Sequence, residues 1–445
     1  MKRKYSVLDK MEATISGSQQ DVLVGPLSLG LDPGASYITQ KREATVHSAV
    51  PSCSFNGVNT LRLQISSATE WMDVSSMYVA FNIVNETALP LQFCGQPHVI
   101  FNRLQIRAGG AELEDIAMYN RLCEQFHIMQ STATRLNAAQ YGLPTNTAKE
   151  NADATKNPNL FRSQAHLPQV VPASSSTKVC MTFPLSSIFG ASQQKYLPLF
   201  AMNGGIELLL SLSDPASHLI TNGGQGSSYR LENIQLHTNL ITLDTALQEK
   251  YFQSLARGDA MLIHTKCWSH HELFLSPSQG SFECSVNKPF SRLATVFASY
   301  TTELTSANIA AGKNYVNNFE FFDNQQQAIE VQLQVGSMRI PEFPAQGVSE
   351  LWMRLQAALG VQNSLAHSLG VSFEDYVTQS HMAAFDLEKL PLAASTGTST
   401  QGGQEVRLAV KNLQSSANVQ MKRCYLALHA DCIFEIRAGG ITKLD

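Results

Sequence analysis

Charge is scarce in this chain. Asp, Glu, Lys and Arg make up 15 % of the 445 residues, against roughly 25 % in ordinary soluble domains. Gln, Asn, Ser and Thr stand in their place. A surface poor in charge is easier to desolvate, which suits burial in an assembly as well as a neutral soluble surface. The net charge of −4 leaves no basic excess for nucleic acid over the chain as a whole. The one dense basic tract, Lys2-Arg3-Lys4, lies at a terminus where three charges are ordinarily solvated. No specific nucleic-acid site is expected. No apolar run is long enough to span a bilayer, and no apolar core follows the first charges, so no secretory signal is expected. The eight cysteines (Cys53, Cys94, Cys123, Cys180, Cys267, Cys284, Cys424, Cys432) have no paired short spacing. They sit mostly in apolar strand patterns and read as buried, reduced thiols in an intracellular setting.

Motifs of chemistry are equally scarce. Gly312-Lys313 is followed by Asn314, and Ala307 stands where a phosphate loop needs its first glycine. Gly223-Gly224-Gln225-Gly226 lacks the last glycine of a dinucleotide fingerprint and lies between strands, so it reads as a turn. No Gly-x-Ser-x-Gly elbow exists. The best metal candidate is His264, Cys267, His270 and His271. Strand alternation separates His264 and His270 from Cys267 and His271, and a tetrahedral site needs converging ligands. Glu112 and Glu114 share a strand face in this reading. With no His or Lys patterned beside them, that face reads as solvated or interfacial rather than as an acid–base pair. Trp71, Trp268 and Trp352 are too scattered for a stacking ladder. No catalytic, cofactor or metal residue is predicted, and no small-molecule substrate.

What is present is strand grammar. Leu104 and Ile106 alternate with Arg103, Gln105 and Arg107, the period of a strand with one buried face. Gly109-Gly110 supplies the positive φ of a hairpin turn. Leu113 continues the alternation, and Asp115 is expected to cap a helix with its apolar stripe from Ile116 to Met129. Ile-Arg-Ala-Gly-Gly recurs at Ile436–Gly440, in a position not equivalent to the first. Strands are expected at Leu61–Ile65, Met77–Ile83, Val179–Phe183 and Ile206–Leu212, with a pair within Tyr229–Leu243. Asp244 caps a helix carrying Leu247, Tyr251 and Leu255. The grammar then restarts: Met261–His264, Glu272–Leu275, Phe282–Val286, Leu293–Ala298, Phe319–Phe322 and Ile329–Val335. A helix over 348–359 and a capping box at Ser372–Asp375 follow, then a Gly/Ser/Thr loop at 394–404 and strands at Val406–Val410 and Cys424–Leu428.

At this length about two or three domains are expected, and two blocks of eight short strands suggest tandem sandwiches. The expected architecture is all-β: two eight-stranded jelly rolls with short helices in the connections. The expected divisions are an N-terminal arm over 1–58, a first roll over 59–243 with a long polar loop at 132–175, a connecting helix over 244–259 and a second roll over 260–445.

Several pieces, in order, resemble the double jelly-roll major capsid proteins of tailless double-stranded DNA viruses, in the Polinton-like virus and virophage branch. They are Glu70-Trp71-Met72-Asp73, Arg103–Asn120 with its Gly-Gly-x-Glu-Leu-Glu-Asp core, Leu185–Leu199, Leu243–Gly258, Ile340–Leu359 and Ala384–Lys389. Ala260-Met261-Leu262 stands where the family pattern has a proline. The resemblance leaves out 1–58 and 132–175. It implies a non-enzymatic major capsid protein of a virion, assembled inside the host cell. Three subunits would form a pseudo-hexagonal capsomer that meets neighbouring capsomers and minor or penton proteins in an icosahedral shell, with the N-terminal arm touching the capsid interior. The alternative on the same fold is a carbohydrate- or receptor-binding surface protein.

Overall fold

The computed structural model describes residues 38–444 except 89–90, 94, 131–170, 191–194, 222–223, 226–227, 276–280, 303–315, 317–318, 320–328, 363–367, 379, 390–395 and 413–420. Lys2-Arg3-Lys4, most of the arm, most of the 132–175 loop, Gly312-Lys313 and all but the first residue of the strand expected at Phe319–Phe322 therefore lie outside the described residues.

The first half of the chain forms β1 (Ile38–His47), β2 (Ser52–Ser54), β3 (Thr60–Ile65), β4 (Trp71–Val84), β5 (Gln92–Phe93), β6 (Phe101–Ala108), β7 (Ala111–Ala117), β8 (Ser176–Met181), β9 (Leu197–Pro198), β10 (Ile206–Leu212), β11 (Leu219–Thr221), β12 (Gly224–Gln225) and β13 (Arg230–Leu243). The long strands make two antiparallel sheets, ordered β1-β13-β4-β8 and β3-β10-β6-β7. With the eight strands numbered along the chain, those orders are 1-8-3-6 and 2-7-4-5, the double Greek key of a jelly roll.

The second half forms β14 (Met261–Phe274), β15 (Phe282–Val286), β16 (Leu293–Thr302), β17 (Glu330–Val335), β18 (Met338–Gln346), β19 (Ala383–Asp386), β20 (Val406–Lys411), β21 (Met421–Arg437) and β22 (Gly440–Leu444). Its sheets run β14-β21-β16-β19 and β15-β20-β17-β18, the same 1-8-3-6 and 2-7-4-5. The chain is a double jelly roll. The helix Thr245–Ala256 stands between the two, and Asp244 caps it through Ala246 N–H at 3.1 Å. Each roll closes its core between its sheets by strand alternation: Leu61, Leu63 and Ile65 in β3, and Val331, Leu333 and Val335 in β17, are all buried.

Four expectations change. Residues 38–54, read as the end of an arm, are β1 and β2, both laddered to β13. β1 is an outer strand with most of its side chains exposed, so it has no apolar alternation to reveal it. Tyr229–Leu243 holds one long strand rather than two; Asn233 at φ 49° and irregular register bend it without breaking it. Met261–His264 and Glu272–Leu275, expected as two strands, fall on a single strand, β14, continuous against β21 and ending at Phe274. Asp115 caps no helix: it stays in β7 and takes a bidentate contact from Arg103 at 2.6 and 2.7 Å. The helix starts at Tyr119, after Met118 at φ 49°.

Both Ile-Arg-Ala-Gly-Gly copies turn hairpins. Gly109 and Gly110 join β6 to β7 at φ 58° and 84°, and Ala438-Gly439 join β21 to β22, with Gly440 the first residue of β22 opposite Arg437. The first joins the fourth and fifth strands of its roll, and the second follows the eighth strand of the other, so the positions are indeed not equivalent.

Candidate functional site: the seam between the rolls

The polar groups most removed from water gather where the rolls meet. β7 of the first roll lies against β14 and β22 of the second. Behind it the Tyr119–His127 helix projects two side chains across. Phe126 packs its ring 5.0 Å from Trp268 and 5.1 Å from Phe297, and Trp268 stacks on His429 at 4.1 Å. Arg121 is 1 % exposed. Its guanidinium sits between the rings of Phe319 and Tyr425, 4.3 and 4.0 Å from their centroids, and donates to Ser299 Oγ at 3.3 Å. Burial lowers its pKa to about 10, so it stays charged at neutral pH. Glu272 adds a carboxylate to that network; it accepts from Tyr425 Oη at 3.0 Å and Arg423 Nη1 at 2.6 Å. A cation held between two aromatic faces in a dry site gains more than an exposed one.

The second lock starts at Glu114. A register shift in the β6–β7 ladder pairs Ile106 with Glu114 but Arg107 with Glu112. This bulge turns both Leu113 and Glu114 inward. Glu112 and Glu114 therefore do not share a face, and Glu114 is neither solvated nor exposed. Glu114 Oε2 accepts from Ser186 Oγ at 2.6 Å and Oε1 from Ser187 N–H at 2.7 Å. Burial raises the Glu114 pKa above the usual carboxylate range, and the two serine bonds oppose the rise. Ser187 O in turn accepts from Thr265 Oγ1 of β14 at 3.0 Å. The carboxylate thus pins a loop of its own roll, and the loop holds the other roll. Around this polar strut, Leu113 and Ile188 meet Ile263, Phe434 and Ile441.

The proposed metal candidates do not converge. His264 is exposed, Cys267 is buried, and His271 Nε2 pairs with Ser269 Oγ at 2.8 Å. His270 Nδ1 lies 3.1 Å from Ala117 O across the seam. A carbonyl only accepts, so Nδ1 carries the proton, and burial lowers this ring's pKa to about 3. Among the described residues no three His, Cys, Asp or Glu side chains gather as a metal site, and seven of the eight cysteines are free thiols. A cleft of about 530 Å³ opens beside the connecting helix, lined by Trp71, Tyr196, Leu247, Tyr251 and Leu262 among others, with no His, Cys, Asp or Glu among the described residues of its wall. The seam residues themselves escaped sequence reading. Glu114 sits in a polar alternation and Arg121 on the polar side of a helix pattern; only the bulge and the neighbouring roll bury them.

The chain's fold is shared with solved capsid proteins. The Faustovirus major capsid protein matches at TM-score 0.59 and 9 % identity, covering 97 % of this chain and 94 % of that one. The cryo-EM structure of the Sputnik virophage matches at 0.56 and 10 %, covering 96 % and 93 %. The capsid of the virus PBCV-1 matches at 0.57 and 12 %, covering 91 % and 97 %. No protein-family model and no curated protein matches the chain.

Proposed function

We propose that this chain is the major capsid protein of an icosahedral double-stranded DNA virus or virophage, with three subunits forming a pseudo-hexagonal capsomer. The observation that carries this reading is the repeat of one eight-strand topology in a single chain, with the copies joined by a buried seam. Its likeness to capsid proteins spans nearly their whole length. Two similar rolls per chain and three chains give six similar lobes, a shape that tiles a plane. A charge-poor surface suits lateral contact with neighbouring capsomers and with minor or penton proteins.

A carbohydrate- or receptor-binding role would ask for an exposed aromatic platform. Each tryptophan instead packs against its own chain: Trp71 on Tyr251, Trp268 on His429, Trp352 on Tyr376. The test is the mass and shape of the purified full chain. Trimers with hexagonal outline in negative stain are the expected result; a clean monomer that never assembles overturns the reading.

A further inference from the structure

We propose that Cys284 and Cys424 are a dithiol that closes to a disulfide in the folded chain and so ties together the two sheets of the second roll. The inference stands on the geometry of that roll and not on the capsid reading. Cys284 lies on β15, the second strand of the roll, and Cys424 on β21, its eighth. The two strands belong to different sheets. Their sulfurs meet across the core at 3.4 Å. Both side chains are buried, and both thiols are free.

The ladders fix both positions. Cys284 takes an inward place between Glu283 and Ser285, which are exposed, and pairs with Leu408 of β20. Cys424 pairs with Leu273 of β14 on one side and Tyr300 of β16 on the other. The β15–β20 and β14–β21 ladders run without a register shift. A disulfide holds its sulfurs about 2.0 Å apart, so this pair has about 1.4 Å to close, a distance for side-chain rotation rather than strand movement. The cysteines stand 140 residues apart in the chain. A loop of that length is where a crosslink restricts the unfolded chain most.

Hydrogen peroxide is an oxidant small enough to enter a packed core. Cys284, 6 % exposed against 0 % for Cys424, is the sulfur it meets first. The Cys284 sulfur attacks one peroxide oxygen. The O–O bond breaks, a sulfenic acid forms, and the other oxygen leaves as water with the thiol proton. The Cys424 sulfur then attacks the Cys284 sulfur. The S–S bond forms, the S–O bond breaks, and the hydroxyl leaves as water with the Cys424 proton. The thiol pair gives up two electrons, and one peroxide becomes two waters. Burial holds the Cys424 thiol well above its usual pKa, and the Arg121 guanidinium opposes that rise. The cation rests on the ring of Tyr425, the next residue of the strand, whose side chain leaves by the opposite face. Closure is therefore slow. The pair stays open in a reducing compartment and closes in an oxidising one.

The experiment treats the purified, folded full chain with excess hydrogen peroxide, then unfolds it in an alkylating agent and maps an unreduced digest by mass spectrometry. The expected product joins the peptide of Cys284 to that of Cys424, at least about tenfold above any other cysteine pairing, because the sulfur geometry selects it. The oxidised chain is expected to melt about 5 °C or more above the reduced chain, and dithiothreitol to reverse the rise. Cys284→Ala is expected to show no such rise; comparing oxidised with reduced protein of the same variant cancels the void that the substitution leaves. Both cysteines recovered alkylated or as oxyacids, or joined to other cysteines, overturn the proposal. So does a joined peptide that forms only when the chain is oxidised unfolded. A joined peptide without a melting rise overturns the tie between the sheets. Should Cys284→Ala fail to fold, the joined peptide and the reversible rise in the wild type decide alone.

Discussion

The guanidinium of Arg121, on a helix of the first roll, lies 4.0 Å from the ring centroid of Tyr425 in the second. A charged side chain so placed acts as a peg. Its stem fills volume in the other roll, and its charge rests on ring faces and the Glu272 network. Arg121→Ala is expected to lose about 2–4 kcal/mol through the void it leaves. Arg121→Met, which keeps the stem and removes a buried charge, is expected to cost about 1 kcal/mol or less. Equilibrium denaturation of the two variants separates them; equal losses would show that charge rather than packing holds the peg.

Glu114 titrates against the fold. Its folded pKa is raised, so its contribution is full below the ordinary value of about 4.3 and is lost as pH rises through the folded value. Glu114→Gln keeps an acceptor for Ser187 N–H and removes the charge. It is expected to be about as stable as wild type at neutral pH and to lack this part of the pH dependence. Glu114→Ala leaves Ser186 Oγ and Ser187 N–H without their acceptor and is expected to cost about 2–4 kcal/mol. Melting curves from pH 4 to 8 read both.

Histidine burial works in the opposite sense. Burial lowers the pKa of His98 to about 4 and of His218, His270 and His381 to about 3. Their contribution is present above the unfolded value near 6.5 and is lost as pH falls from there toward the folded values. Between pH 6.5 and 5 each such ring costs about 2 kcal/mol, from 1.36 kcal/mol per pKa unit. His270→Asn offers Nδ2 to Ala117 O in place of Nδ1 and cannot titrate. It is expected to melt closer to its neutral-pH temperature at pH 5 than wild type does; an unchanged acid shift would exclude His270 as a source.

The first Gly-Gly hairpin divides neighbouring positions sharply. Gly109 holds φ 58°, and an added Cβ would stand 3.2 Å from Asn203 O. Gly109→Val and Leu113→Asp are expected to abolish soluble trimers, the first through a strained turn and the second through an unpaired charge in the core. Glu112→Gln, at an exposed position, should leave melting temperature and oligomer mass unchanged.

The basic tip Lys2-Arg3-Lys4 motivates a truncation. Deleting residues 2–20 is expected to leave trimers intact and to impair capsid assembly or genome packaging. Normal particles from the truncated chain would remove a role for the arm inside the capsid.

Much of the architecture was legible because β alternation is local. Leu61–Ile65, Ile206–Leu212 and Ile329–Val335 announce one buried face in their own letters, and Gly109-Gly110 announces its turn. Asp244 and Ser372 cap helices as their side chains predict. β1 was not legible: an exposed outer strand is held by its ladder to β13, and a ladder leaves no side-chain pattern. Asp115 was misleading, because the helix-starting chemistry it offers is outcompeted by Arg103 on the neighbouring strand.

The residues from Arg103 to Arg121 show where the division falls. Composition and periodicity determined that this chain builds two small all-β sandwiches with little charge to spare for solvent, and that it displays no motif of catalysis. Tertiary structure alone decided which polar groups matter. A one-residue bulge turns Glu114 from a solvent position to a buried strut. A second roll, more than a hundred residues away in sequence, turns Arg121 from a surface cation into a buried peg. Burial belongs to what packs against a residue, and across a seam between domains that partner leaves no trace in the letters beside it.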